Sequence, residues 1–256
     1  MKKSLKIIGI FLLVSFIGGC SIFVKINKPK PIINLATKTE ADVLGHRMLK
    51  AINYLNWENT IIVKWSFKDN HHFVWDKQNN FVQVKWKKND VRLNLDSLEQ
   101  FTVYKNKVKV EDLKTARNLK TKAWEFFCND SFWLNAPAKI FDNGTTRTIV
   151  EEDGHKRLLV SYASGGATPG DSYLWYLDQN DLPYKYKMWV SIIPFGGAEA
   201  TWAKWQKTPS GAMLATEHEM AIFKILMKNI STAKSLEALG EEALLFADFK
   251  RINTNL

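Results

Sequence analysis

The chain has 256 residues, a formal net charge of +10, and a composition that is 46% hydrophobic and 12% aromatic with two cysteines. That length supports a sizeable core, read here as one domain, with two small β-rich domains as the alternative. Two cysteines, one of them at the end of the leader, exclude a disulfide framework, and lysines scattered along strands read as solvated strand residues, with attraction to an anionic leaflet as the alternative favoured over nucleic acid.

The first twenty residues read as an export signal. Lys2, Lys3 and Lys6 form a basic start, Ile7 to Phe16 an apolar stretch, and Ile17-Gly18-Gly19-Cys20 closes it. About ten apolar residues are too few to span a hydrocarbon core of roughly 30 Å as a helix. Small residues before a cysteine resemble the bacterial lipobox, which implies cleavage after residue 19 and acylation of Cys20. Ordinary cleavage at the same bond, leaving a plain thiol and a secreted protein, is the alternative. The reading is therefore a signal peptide over 1–19, a lipidated tether over 20–36 and a single β-rich domain over 37–256.

Pro29 and Pro31 between lysines mark the tether as extended, able to let the domain stand off a bilayer. Ser21 after the lipidated cysteine resembles the sorting signal for the outer membrane, implying an envelope lipoprotein facing the periplasm. From Thr37, apolar residues at Val43, Leu44, Met48, Ile52 and Leu55 predict an amphipathic helix to about Asn56, with Thr39 and Asp42 as a capping box. The period then drops to two. Ile61, Val63, Trp65 and Phe67, then Val82, Val84 and Trp86, then Val91, Leu93 and Leu95 alternate with polar residues, as in antiparallel strands covered on one face. Turns are expected at Asp69-Asn70, Asn79-Asn80, Asn89-Asp90 and Lys105-Asn106.

Helical spacing returns at Leu113, Ala116, Leu119, Ala123, Trp124 and Phe127, predicting a second helix over 112–129, which Asp130 to Asn135 either extend or bend before Pro137 forbids continuation. The second β-rich half starts at Thr145, with a sharp hairpin signal at Asp153-Gly154. Further strands are expected around Tyr173, Trp175 and Leu177, over Tyr184 to Val190, and on either side of Pro209-Ser210-Gly211. Residues 222–230 fit strand or helix, and 235–249 look helical only in part. The fold class is mainly β (α+β): a curved antiparallel half-barrel sheet with two amphipathic helices against its concave face.

No nucleophile elbow, zinc-protease helix, phosphate loop or dinucleotide fingerprint is present, and no cofactor or metal is predicted. His71 and His72 with Asp69 and Asp76 are the nearest thing to a metal cluster, but adjacent strand residues point to opposite faces. Asp171, Ser172, Glu199 and His218 are the polar groups an enzyme would have to gather. The outstanding feature is ten tryptophans, many at inward strand positions. A concave wall for a hydrophobic or amphiphilic ligand is expected from Trp65, Phe67, Trp86, Trp175, Tyr186 and Trp205, and a closed core built from the same rings is the alternative. An apolar cavity would favour binding, a converging polar cleft catalysis, and a filled interior a structural or partner-binding role.

This pattern resembles the half-barrel lipoprotein carriers and acceptors of the LolA, LolB and LppX kind, a likeness of architecture. Locally, Gly165-Gly166-Ala167-Thr168-Pro169-Gly170-Asp171-Ser172-Tyr173-Leu174-Trp175, with Leu182-Pro183, Met188-Trp189-Val190 and Gly196-Gly197, resembles a family of lipoproteins known mainly from Bacteroidetes, to which no activity is assigned. The resemblance implies membrane attachment through Cys20 and a half-barrel fold, while a lipid or other amphiphile as partner is expected from the inward aromatics.

Overall fold

A computed structural model describes residues 28–164, 170–221 and 223–249, so the predicted anchor at Cys20 lies outside the described residues. The fold is mainly β, with two large curved antiparallel sheets and two longer helices, and it is not a closed barrel. Of the stretch read as an extended tether, residues 28–34 have no regular structure and lead into a 3₁₀ turn, Leu35–Thr37. Helix α1 (Lys38–Ala51) follows, then a short helix α2 (Tyr54–Glu58). The expected continuous helix breaks because Asn53 is left-handed (φ 53°) and donates from its side chain to the Gly211 carbonyl at 3.0 Å. The capping box does not form: Asp42 pairs instead with Arg147 at 2.6 Å, tying α1 to the second half of the chain.

Strands β1 (Ile62–Phe67), β2 (His71–Asp76), β3 (Phe81–Trp86), β4 (Asn89–Asn94), β5 (Phe101–Lys105) and β6 (Val108–Lys109) form the expected meander. Lys68 and Asp69 both take left-handed conformations at the first turn. The turn expected at Asn89-Asp90 lies two residues earlier, at Lys87-Lys88, since Asn89 and Asp90 already pair with Lys105 and Tyr104 in β5. Helix α3 (Leu113–Asn135) is capped by Asp112, whose carboxylate accepts from the Thr115 amide at 2.9 Å. It continues through Asp130 to Asn135, the extension left open by the sequence, and stops where Pro137 enters a 3₁₀ turn.

The second half gives β7 (Thr145–Glu152), β8 (His155–Tyr162), β9 (Ser172–Leu177), β10 (Pro183–Trp189) and β11 (Ala198–Thr201) as a five-stranded sheet. At the β7–β8 turn Asp153 (φ 53°) and Gly154 (φ 72°) adopt the left-handed pair that the sequence demands. Beyond Trp202 the chain leaves that sheet. Strands β12 (Ala203–Lys207), β13 (Met213–Met220) and β14 (Phe223–Ala233) join β1, giving the order β12-β13-β14-β1-β2-β3-β4-β5-β6. The hydrogen-bonded array is thus two sheets instead of one, and they meet where β13 reaches β11: the Glu219 amide donates to Thr201 Oγ1 at 2.8 Å. The ambiguous stretch after residue 222 is a strand. Residues 235–249 hold only a 3₁₀ turn, Glu237–Leu239, and irregular chain whose Leu245, Phe246 and Phe249 cover Phe81 on the outer face of the first sheet.

Helix α3 is the central strut. Its apolar face meets the first sheet through Phe127 and Phe126, with Phe127 6.5 Å from Trp65 and Phe126 5.3 Å from Trp86, and the second through Trp133, 5.8 Å from Tyr186. Trp65, Trp86, Trp175 and Tyr186 are all buried on the helix side, as the alternation predicts. No helix among the described residues is long and apolar enough to cross a membrane.

Candidate functional site

The strut does not fill the concave space. Between the C-terminal half of α3, strands β9 to β11, the near ends of β13 and β14, and the loop 190–197 lies a cavity of 2060 Å³. Pockets for small molecules usually measure roughly 300–1,000 Å³, so this space has room for a large ligand. Its wall is dominated by Phe127, Phe132, Trp133, Tyr186, Met188 and Ile193. Each position follows from its local structure. Phe127 and Trp133 are on the buried face of α3, while Tyr186 and Met188 are alternate residues of β10 pointing to one side of the sheet.

Charged groups occur at the rim in mutually neutralising sets. Lys185 lies 3.2 Å from Glu199, Lys28 3.5 Å from the same carboxylate, and Lys139 3.4 Å from Asp142. Lys68 sits over the ring of Phe223 at 4.7 Å. Deeper in, the polar groups are phenols. Burial pushes the hydroxyls of Tyr162, Tyr173 and Tyr186 far above the ordinary tyrosine range, with Asp171 adding to the effect at Tyr173, so all three are neutral donors. Tyr173 donates to Asp171 at 3.4 Å, and the rings of Tyr173 and Tyr186 meet edge to face at 5.2 Å. Cys128 in the cavity wall is a free thiol pushed up to about 12 by burial, which makes it a poor nucleophile.

Of the six residues named from the sequence for a ligand wall, Phe67 and Tyr186 border this cavity. Trp65, Trp86 and Trp175 are packed in the core, and half-buried Trp205 donates its indole N–H to the Pro183 carbonyl at 3.1 Å. Alternation identified the face of the sheet but could not say which part of that face α3 would cover. The lining residues missed from sequence are those of α3 itself and of the loop 190–197. Pro194 and the following glycines flagged that loop only as a strand break.

The polar groups considered for catalysis are dispersed. Ser172 shares a hydrogen bond with Ser161 at 2.8 Å, Asp171 accepts from the Ser191 amide at 3.2 Å, and Glu199 is held by lysines. His218 is fully buried, its Nδ1 donating to the Thr201 carbonyl at 3.0 Å, and burial pushes its pKa down to about 4. His71 and His72 diverge: His71 Nδ1 meets Asp130 Oδ2 at 2.7 Å, and His72 Nδ1 meets Ser66 Oγ at 2.8 Å. Burial raises the Asp130 carboxyl above its usual range against the opposing effect of His71, and the pair fastens α3 to the start of β2. No group of three or more His, Cys, Asp or Glu side chains that could hold a metal occurs among the described residues.

No protein-family model matches the chain, and neither does any curated protein. Among solved structures it is similar to a DUF1329 family protein from Desulfovibrio piger, at 10% sequence identity and a TM-score of 0.42, over 78% of this chain and 95% of that one.

Proposed function

We propose that this protein is an exported lipoprotein, anchored through Cys20, whose domain binds a hydrophobic or amphiphilic ligand such as a lipid between α3 and the concave sheets. The observation that carries the reading is the apolar cavity of 2060 Å³. Burial of hydrocarbon there contributes roughly 0.8 kcal/mol per CH₂, so an acyl chain has a driving force that a small polar metabolite lacks. The address is part of the same proposal: the lipobox-like end of the leader and Ser21 favour an outer-membrane lipoprotein facing the periplasm, as does the resemblance to Bacteroidetes-type lipoproteins and to half-barrel carriers.

The test is native mass spectrometry and solvent extraction of protein purified from cell membranes in mild detergent. Bound amphiphile is expected in the native chain and its loss in Ala198→Trp, which fills the cavity from β11. Ile193→Lys, from the loop, places a charge in the wall and leaves the strands untouched. Extracts without amphiphile, together with no thermal protection by added fatty acids or phospholipids, would overturn the carrier reading in favour of a scaffold. Independently, Cys20→Ala should move the protein out of the membrane fraction; unchanged fractionation and no acyl mass on the N-terminal peptide would remove the anchor.

A further inference from the structure

The segment read as a free tether is held at two points. Near its C-terminal end the Asn34 amide donates to Thr148 Oγ1 at 3.1 Å, that hydroxyl donates back to the Asn34 carbonyl at 2.7 Å, and Thr37 Oγ1 accepts from the Ile149 amide at 2.9 Å. At the other end Lys28 is clamped. Its amide donates to the Gly196 carbonyl at 2.9 Å, its own carbonyl accepts from Trp189 Nε1 at 2.8 Å, and its ammonium lies 3.5 Å from Glu199.

The register shows what lies between these points. Thr148 pairs with Leu159, Leu159 with Leu174, and Leu174 with Lys187, a row running from β7 to β10. Residues 28–34 therefore cross four strands of the second sheet. Pro29 and Pro31 stiffen the crossing and withhold two N–H groups, so the segment lies over the sheet without becoming a strand of it.

The clamp also accounts for the Trp189 and Gly196-Gly197 positions. A Cβ on Gly196 would come within 2.5 Å of the Lys28 carbonyl oxygen, and one on Gly197, at φ +77°, within 2.8 Å of Lys28 Cβ. Only glycine lets the segment lie this close. Lys28 is at the same time a rim residue of the cavity, together with Ile192 and Phe223, which are 72% and 43% exposed.

We propose that residues 28–36 are a strap that holds the mouth of the cavity against the bilayer carrying the anchor, making the surface around Lys28, Ile192 and Phe223 a lipid-facing surface. The inference rests on the anchoring part of the function proposed above. Eight peptide steps link Cys20 to Lys28 and span no more than about 29 Å even fully extended. A domain of this size is about 45 Å across. With the strap docked, the pole opposite Lys28 cannot reach the membrane. Were the first fixed point Asn34, fourteen peptide steps would span about 50 Å, more than the width of the domain, and the linker would exclude no face from the membrane. Exposed Lys30 suits anionic head groups, and exposed Ile32 and Ile192 suit the interface beneath them. A lipid would then enter the cavity from the membrane that holds the protein.

The experiment uses the full lipidated chain in phosphatidylethanolamine and phosphatidylglycerol vesicles carrying a nitroxide quencher. A fluorophore is placed at Ile192→Cys or at Lys107→Cys in a Cys128→Ser background. Lys107 lies in the β5–β6 turn, between five and six strand spacings, about 26 Å, along the first sheet from β14. Quenching at 192 is expected to exceed that at 107 several-fold. Gly197→Val and, more mildly, Trp189→Phe should release the strap, seen as faster hydrogen exchange of the Lys28 amide, and should shrink the difference. Equal quenching at the two sites in protein that floats with vesicles overturns the orientation alone. A difference that persists after the Lys28 amide is freed overturns the strap's role. Protein that does not float overturns the anchor and the orientation with it, while the ligand-extraction result stands separately.

Discussion

Acidification is expected to remove about 3 kcal/mol of stability through His218 alone. The imidazole is fully buried, 4.4 Å from the ring of Trp202 and 5.3 Å from that of Trp133, and burial pushes its pKa from 6.5 to about 4. Between those two values the unfolded chain binds the proton and the folded chain does not, so stability rises with pH across that window. It is complete above 6.5, about 2 kcal/mol lower by pH 5, and lower by about 3 kcal/mol near pH 4. The assay is urea unfolding at a series of pH values for the native chain and for His218→Asn, whose side-chain amide can still donate near the position of Nδ1 but does not titrate. Carboxylates elsewhere contribute equally to both and cancel in the difference. The native chain should lose about 3 kcal/mol relative to the variant between pH 7 and 4. Parallel profiles, or an NMR titration placing His218 near 6.5 in the folded protein, would refute the reasoning.

Two further outcomes follow from burial. Trp65→Ala, which removes a fully buried ring stacked 4.4 Å from Phe73, should cost about 3–5 kcal/mol in denaturant melts; a cost no greater than that of Trp205→Ala at the half-buried edge would contradict the packing described. Cys128, with its thiol pushed up to about 12, should be alkylated at pH 8 on the order of a thousandfold more slowly in the folded chain than in urea, in a Cys20→Ser background. Native and unfolded rates within an order of magnitude of each other would show that the thiol is not buried as described.

The sequence by itself determined the local structure. Period-two runs around Trp65, Trp86 and Trp175 became strands with those rings inward, and Asp153-Gly154 became a left-handed turn, because strand alternation and turn chemistry are properties of adjacent residues. Element ends were less legible. A tertiary contact from Asn53 to Gly211 breaks the first helix, and Arg147 draws Asp42 away from a capping role. Tertiary structure alone decided that β14 pairs with β1, dividing the strands between two sheets, because the competing strand edges look alike in sequence and only the closed core selects among them. It also decided that α3 leaves part of the concave face uncovered, which makes Phe132, Trp133 and Ile193 cavity residues while Trp65 and Trp175 are core. The same holds for the first described residues. Pro29 and Pro31 spell an extended chain, but whether that chain is free or held depends on Trp189 and Gly196, about 160 residues away and brought to Lys28 by the fold.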